Sequence, residues 1–133
     1  MEEIMYRTAC LQQFKAQHYL IGGDWGKENN LHTHNYSVEL CVEGPELNAD
    51  GYLIDLFDLK KSAEKLLAPF ENRTLNDLPE FAGVNPSIER LAAYICDNIE
   101  VNPGETVLSA IIVKVWEDDQ AWASCRRDLV QVP

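Results

Sequence analysis

A chain of 133 residues is long enough to bury one hydrophobic core and too short for two ordinary domains. Apolar residues at 46% and charged residues at 25% give a globular composition, with no run of about 18 apolar residues to cross a membrane. The 22 acidic and 11 basic residues leave a net charge of −11, which argues against a nucleic-acid partner, because phosphate backbones need clustered Lys and Arg.

The chain opens MEEIMYRTAC, acidic and without a basic stretch leading into an apolar run, so no signal peptide is expected and the expected compartment is the cytoplasm. Residues 5–18 then alternate loosely, with Tyr6, Thr8, Cys10, Phe14, Ala16 and His18 on one parity, and predict a strand. The stretch IGGDWGKENN that follows is a glycine- and asparagine-rich loop, long enough to reach over a site. Residues 34–43 alternate cleanly, with Tyr36, Val38, Leu40 and Val42 on one face, and predict a second strand.

After a turn at Asn48-Ala49-Asp50-Gly51 the period changes. Leu56, Leu59, Ala63, Leu66 and Leu67 recur at helical spacing, predicting a helix over 56–68 that stops at Pro69. Asn85-Pro86 reads as the next helix start, with Asn85 as N-cap and Pro86 in the first helical position. Behind it Ile88, Leu91, Ala92, Ile95 and Ile99 form one apolar stripe. A turn at Asn102-Pro103-Gly104 leads to strands expected over 107–116 and 121–127. The order ββααββ predicts a single α+β domain over 1–133, a four-stranded antiparallel sheet with two helices on one face. Such a sheet has open edges, which makes pairing between copies an expectation. The cysteines (Cys10, Cys41, Cys96 and Cys125) form no CxxC pair and read as reduced, mostly buried thiols.

The only histidines are His18, His32 and His34. In an extended chain residues i and i+2 point the same way, so His32 and His34 can reach one ion, and antiparallel pairing of the first two strands brings His18 beside them. Three neutral imidazoles with a fourth position open is the arrangement of catalytic zinc. Ordinary surface or core histidines remain the other reading of the same residues.

The motifs Phe14-Lys15-Ala16-Gln17-His18, His32-Thr33-His34-Asn35-Tyr36 and Asp50-Gly51-Tyr52-Leu53-Ile54-Asp55-Leu56 resemble the 6-pyruvoyltetrahydropterin synthase family. That family includes the 6-carboxytetrahydropterin synthases of queuosine biosynthesis. The similarity continues through Leu75-Asn76, Asn85-Pro86-Ser87-Ile88-Glu89 and Val115-Trp116-Glu117, in order along nearly the whole chain. It implies the ββααββ T-fold, a homo-oligomer (trimer or hexamer) with sites between subunits, and Zn2+ held by His18, His32 and His34. It also implies a small-molecule pterin substrate, with Glu117 as its anchor and Ser87 and Glu89 near its pocket. On local grounds Ser87 and Glu89 equally suit the first turn of a helix, and Glu117 a turn.

The departures bear on the reaction. Where the family carries its catalytic cysteine this chain has Glu28, and where it carries an Asp-His dyad this chain has Glu71-Asn72. Thr33 replaces the middle glycine of the H-G-H motif and is expected to point away from the imidazoles. Glu28 keeps a base but changes its chemistry; Asn72 cannot shuttle a proton near neutral pH. Some family members serving folate biosynthesis carry glutamate at the cysteine position and cleave a pterin side chain. The resemblance therefore implies a zinc-dependent lyase acting on 7,8-dihydroneopterin triphosphate or a related pterin. In it Glu28 is the catalytic base, Glu71 a supporting acid, and 6-hydroxymethyldihydropterin the product the substitutions favour. The alternative is a zinc- and pterin-binding T-fold oligomer that has lost the standard synthase activity.

Overall fold

The computed structural model describes residues 4–129. Its elements are β1 (Tyr6–His18), β2 (His32–Gly44), α1 (Leu56–Leu67), α2 (Ile88–Asn98), β3 (Ala110–Trp116) and β4 (Trp122–Asp128). They follow the expected ββααββ order, and the strands form one antiparallel sheet in the order β1-β2-β3-β4.

Strand alternation sets the two faces of the sheet. Phe14, Ala16, Tyr36, Val38, Leu40, Val42, Ile111, Val113 and Val115 all turn to one side and are buried there. Onto them α1 lays Leu59, Ala63 and Leu67, and α2 lays Leu91, Ala92 and Ile95, closing a single core. Each large aliphatic side chain so buried contributes about 1.5–3 kcal/mol, which offsets the entropy of ordering the sheet. The helix α1 starts where Asp55 accepts the Phe57 N–H at 2.9 Å, satisfying one of the orphan donors of its first turn. Among the described residues no helix is long and apolar enough to cross a membrane.

Three expectations are corrected. The N-cap of α2 is Ser87, whose hydroxyl accepts the Arg90 N–H at 3.1 Å, and not Asn85. Asn85 has its side chain committed elsewhere, to the backbone of Ile21. Second, β3 begins at Ala110 rather than at 107. There the chain crosses over Gly44, where an added Cβ would lie 2.7 Å from the Val107 carbonyl oxygen, and the ladder with β2 starts only at Ala110, opposite Glu43. Third, the outer edge of β1 is not open at its C-terminal end. Asn72 N–H donates to the Lys15 carbonyl at 2.6 Å and Gln17 N–H to the Arg73 carbonyl at 2.9 Å. Asn72 holds φ at 58°, the left-handed region that Asn tolerates better than most residues.

The face without helices is polar and is tied across strands. The buried Glu43 on β2 takes Arg7 of β1 at 2.7 Å and Arg126 of β4 at 2.8 Å. Ala110 is the β3 residue opposite Glu43, and its small side chain lets the Arg126 guanidinium reach across. Farther along, the Lys114 ammonium lies 4.2 Å from the Trp122 ring centroid and 5.2 Å from that of Trp116, a cation–π contact on both sides.

Candidate metal centre

The three histidines converge where β1 ends and β2 begins. His18 pairs with His32 across the ladder and Ala16 with His34, so all three imidazoles rise on the core side at the rim of the sheet. Each offers a ring nitrogen, and these nitrogens lie within 4.8 Å of one another. The rings meet edge to face, with centroids 4.4 Å apart for His18–His32 and 4.9 Å for the other two pairs. Zinc–nitrogen bonds of about 2.0–2.1 Å hold tetrahedral ligands roughly 3.4 Å apart, a distance that small ring rotations reach from here. Thr33 is exposed and on the opposite side of the strand, as expected.

The donor chemistry fits a zinc-type ion. His18 Nδ1 lies 3.2 Å from the Pro86 carbonyl oxygen and His32 Nδ1 lies 2.8 Å from that of Asn30. A carbonyl only accepts, so each Nδ1 carries the proton and each Nε2 keeps its lone pair for a metal. Nε2 of His34 is buried without a hydrogen-bond partner, which is costly unless something else binds it. Burial is the largest influence on His18 and pushes its pKa down. The neighbouring His32 and His34 push the same way, while the Pro86 hydrogen bond and the Glu28 charge oppose them. A neutral imidazole is what a metal ligand must be.

The loop carrying Glu28 is held by asparagines. Beyond β1, Tyr19 exchanges two hydrogen bonds with the side chain of Asn76, at 3.1 and 2.9 Å. Ile21 does the same with Asn85, at 2.7 and 3.3 Å. Each primary amide stands in for the peptide of a neighbouring strand, so residues 19–21 stay extended with no strand beside them. Between these two residues Leu20 N–H donates to the Glu28 carbonyl at 2.9 Å, and Asn29 binds the carbonyls of Leu20 and Gly23. The Trp25 ring lies against Gly23, where an added Cβ would fall 2.8 Å from it and make the ring shift. The loop therefore returns on itself as a short 3₁₀ turn, Gly26–Asn29, with the Glu28 side chain exposed and its charge felt at His18.

The other expected site residues are distributed unevenly. Glu117, at the end of β3, comes to the histidines, with its Oε1 3.0 Å from His34 Nε2 and 3.6 Å from His18 Nε2. Ser87 caps α2 beside Pro86, and Glu89 is exposed in the first turn of that helix. Glu71 is exposed at the outer edge of β1, where it accepts the Lys15 N–H at 3.0 Å, three residues back from His18. Residues that sequence reasoning did not place at the site are Tyr36, fully buried with its hydroxyl 3.4 Å from His18 Nδ1, and the clamps Asn76 and Asn85, the latter read as a helix cap. Tyr36 could have been found by parity, since it continues the i, i+2 series of His32 and His34.

Residues 8–128 match the family model for 6-pyruvoyl tetrahydropterin synthase. A 6-pyruvoyl tetrahydrobiopterin synthase of Poecilia reticulata is 42% identical over 79 residues, 56% of this chain and 54% of that protein, so the match spans about half the relative's length. A dihydroneopterin monophosphate aldolase of Pyrococcus furiosus is 31% identical over 118 residues, covering 88% of this chain and 90% of the relative. Among solved structures, a catalytic-residue mutant of Plasmodium vivax 6-pyruvoyltetrahydropterin synthase, with alanine in place of a glutamate, superimposes with a TM-score of 0.77 at 18% identity. It covers 95% of this chain and 99% of the other. A match that runs from Thr8 to Asp128, through every strand and both helices, makes this chain a member of the 6-pyruvoyl tetrahydropterin synthase family.

Proposed function

We propose that this protein is a zinc-dependent lyase that cleaves the side chain of a dihydroneopterin phosphate, yielding 6-hydroxymethyldihydropterin. The observation that carries the reading is the convergence of His18, His32 and His34 on one point, beside a loop that carries the carboxylate of Glu28 and no cysteine. The three histidines hold the ion, which supplies Lewis-acid stabilisation of negative charge developing on the side-chain oxygens. The name of the Pyrococcus relative, an aldolase acting on dihydroneopterin monophosphate, supports cleavage as the outcome.

Glu28 removes the proton from the second side-chain hydroxyl. The oxygen's electrons form a carbonyl and the adjacent carbon–carbon bond breaks. Its electron pair moves onto the carbon attached to the pterin ring, into conjugation with the ring imine. Return of a proton to that carbon gives the hydroxymethyl product and releases a phosphorylated glycolaldehyde. Glu117 anchors the pterin by accepting its 2-amino and ring N–H groups together. Ser87 and Glu89, at the start of α2, border the same pocket. Glu71, exposed at the β1 edge, is the supporting acid in this reading, acting on the site of an adjoining subunit of a homo-oligomer.

The test is incubation of zinc-loaded protein with dihydroneopterin triphosphate and, separately, its monophosphate, followed by mass spectrometry. Formation of 6-hydroxymethyldihydropterin, slowed about 10²–10⁴-fold by Glu28→Gln, is expected. A pyruvoyl or carboxy product would instead assign the standard synthase reaction. Unaltered substrate that nevertheless binds would favour the second reading, a pterin-binding oligomer without the synthase activity. That second reading is motivated by Asn72, which cannot carry a proton where the family's dyad histidine would.

A further inference from the structure

The contact between Glu117 and the histidines has the wrong shape for an ion pair. Glu117 Oε1 lies only 3.0 Å from His34 Nε2, yet that nitrogen has no hydrogen-bond partner. At such a distance a straight N–H···O bond would be expected of a mutually bonded pair. The nitrogen and the oxygen are therefore close to each other without a hydrogen bond joining them. With the His34 proton on Nδ1, two such atoms have lone pairs that one cation can accept together.

The distances agree with that description. Zinc bonds of about 2.0–2.2 Å to nitrogen and carboxylate oxygen make the edge of a tetrahedron roughly 3.4 Å. The Glu117 oxygen stands 3.0 Å from His34 Nε2 and 3.6 Å from His18 Nε2, one on either side of that edge. Both nitrogens are the ones left with free lone pairs or no partner. Glu117 is itself partly withdrawn from water, with its side chain 30% exposed. Its position is set by the backbone, since Glu117 N–H donates to the Ala121 carbonyl in the turn between β3 and β4.

We propose that Glu117 is the fourth ligand of the metal when no pterin is bound, and that an arriving pterin takes this carboxylate away. This rests on the functional reading above and deepens it. A carboxylate that occupies the open position keeps the ion four-coordinate and protects it from stray ligands. When the same carboxylate turns to accept the pterin's two N–H groups, the fourth position is freed only while the correct ring is in place. Recognition of the ring and opening of the metal are then one event, carried by one side chain.

The experiment uses the full chain with Co(II) as a spectroscopic substitute, comparing the wild type with Glu117→Gln. Far-UV circular dichroism checks that the variant folds. Metal affinity is read by chelator competition and coordination by visible absorption. The probe is 6-methylpterin, which has the ring but no side-chain oxygens, and its binding is followed by fluorescence. In the wild type, cobalt is expected to bind at least about ten-fold more tightly than in Glu117→Gln, with a different absorption band. Bound 6-methylpterin is expected to shift the wild-type band towards that of the variant. Equal affinity and identical spectra for the two proteins would overturn the proposal, as would a wild-type spectrum unmoved by bound 6-methylpterin. Failure of both proteins to take up one equivalent of cobalt, or failure of the wild type to bind the pterin, would refute the functional reading itself.

Discussion

Replacing Asn85 by alanine tests whether the candidate metal site is held from behind by the α2 start. The Asn85 amide supplies both hydrogen bonds of the Ile21 peptide, accepting from N–H at 2.7 Å and donating to the carbonyl at 3.3 Å. A net contribution of about 1 kcal/mol for the first and about half that for the longer one gives about 1.5 kcal/mol. Ile21 is only half-buried, so water replaces part of what is lost and no larger penalty is due. At this chain length the change lowers Tm by roughly 5 °C. The next residue, Pro86, supplies the carbonyl that fixes the His18 ring, so loosening Asn85 releases a positioning contact of a ligand. Removal of such contacts costs about 10–100-fold in metal affinity, and this indirect case belongs at about ten-fold. Urea denaturation of the metal-free protein measures the first number and chelator competition the second. Asn85→Asp keeps the acceptor and loses the donor, and its stability is expected between the two. An Asn85→Ala protein that loses stability but binds metal as tightly as wild type would refute the coupling.

Metal removal should destabilise the fold at its rim: zinc at a hundred times its dissociation constant adds about 2.7 kcal/mol, and a thermal melt with and without chelator reads it. His18→Ala should abolish that shift, and a full zinc-dependent shift in His18→Ala would remove His18 from the ligand set. Glu43 gives a pH signature. Its hydrogen bonds to Arg126 and Arg7 hold its carboxyl below the ordinary value of 4.5. The unfolded chain therefore binds the proton first, and the stabilisation present above pH 4.5 is lost as pH falls towards the folded value. The stability gap between wild type and Glu43→Gln should narrow in acid, and urea melts at several pH values showing a constant gap would contradict this. Tyr36→Phe removes one hydroxyl, 3.4 Å from His18 Nδ1, while the Pro86 carbonyl stays. It should cost under about 1 kcal/mol and leave metal affinity nearly unchanged, and a ten-fold loss by chelator competition would show that the tyrosine matters more than this geometry implies.

The residues legible in the sequence are those whose placement follows from a local period. His32, His34 and Tyr36 share a face because a strand repeats every two residues, and His18 joins them because β1 and β2 pair from Tyr6↔Gly44 to His18↔His32. The helices were legible for the same reason, from the spacing of Leu59, Ala63 and Leu67 and of Leu91, Ala92 and Ile95. What could not be read lies in side chains that bond to distant backbone. Asn76 meets Tyr19 and Asn85 meets Ile21 across 57 and 64 residues, and no periodicity announces such a bond. Locally Asn85 before a proline looked like a cap, and the tertiary partner won. The β1 edge was misjudged in the same way, because residues 71–74 cover it from another part of the chain.

Glu117 shows how the two kinds of information combine. Its place in the sequence, next to Asp118 and Asp119 after a β-branched strand, allows nothing firmer than a turn residue. Parity then puts it on the face of Val113 and Val115, and the pairing of Ser37 with Trp116 brings that end of β3 beside the start of β2. Its carboxylate consequently reaches the imidazoles although none of them is its neighbour in the chain. A shift of one residue in the β2–β3 register would carry Glu117 to the opposite face of the sheet, away from all three rings. The ladder that buries Val38, Leu40, Val113 and Val115 is thus also what keeps the Glu117 carboxylate beside the three imidazoles. Core substitutions that allow β3 to slip should therefore weaken metal binding before they unfold the domain.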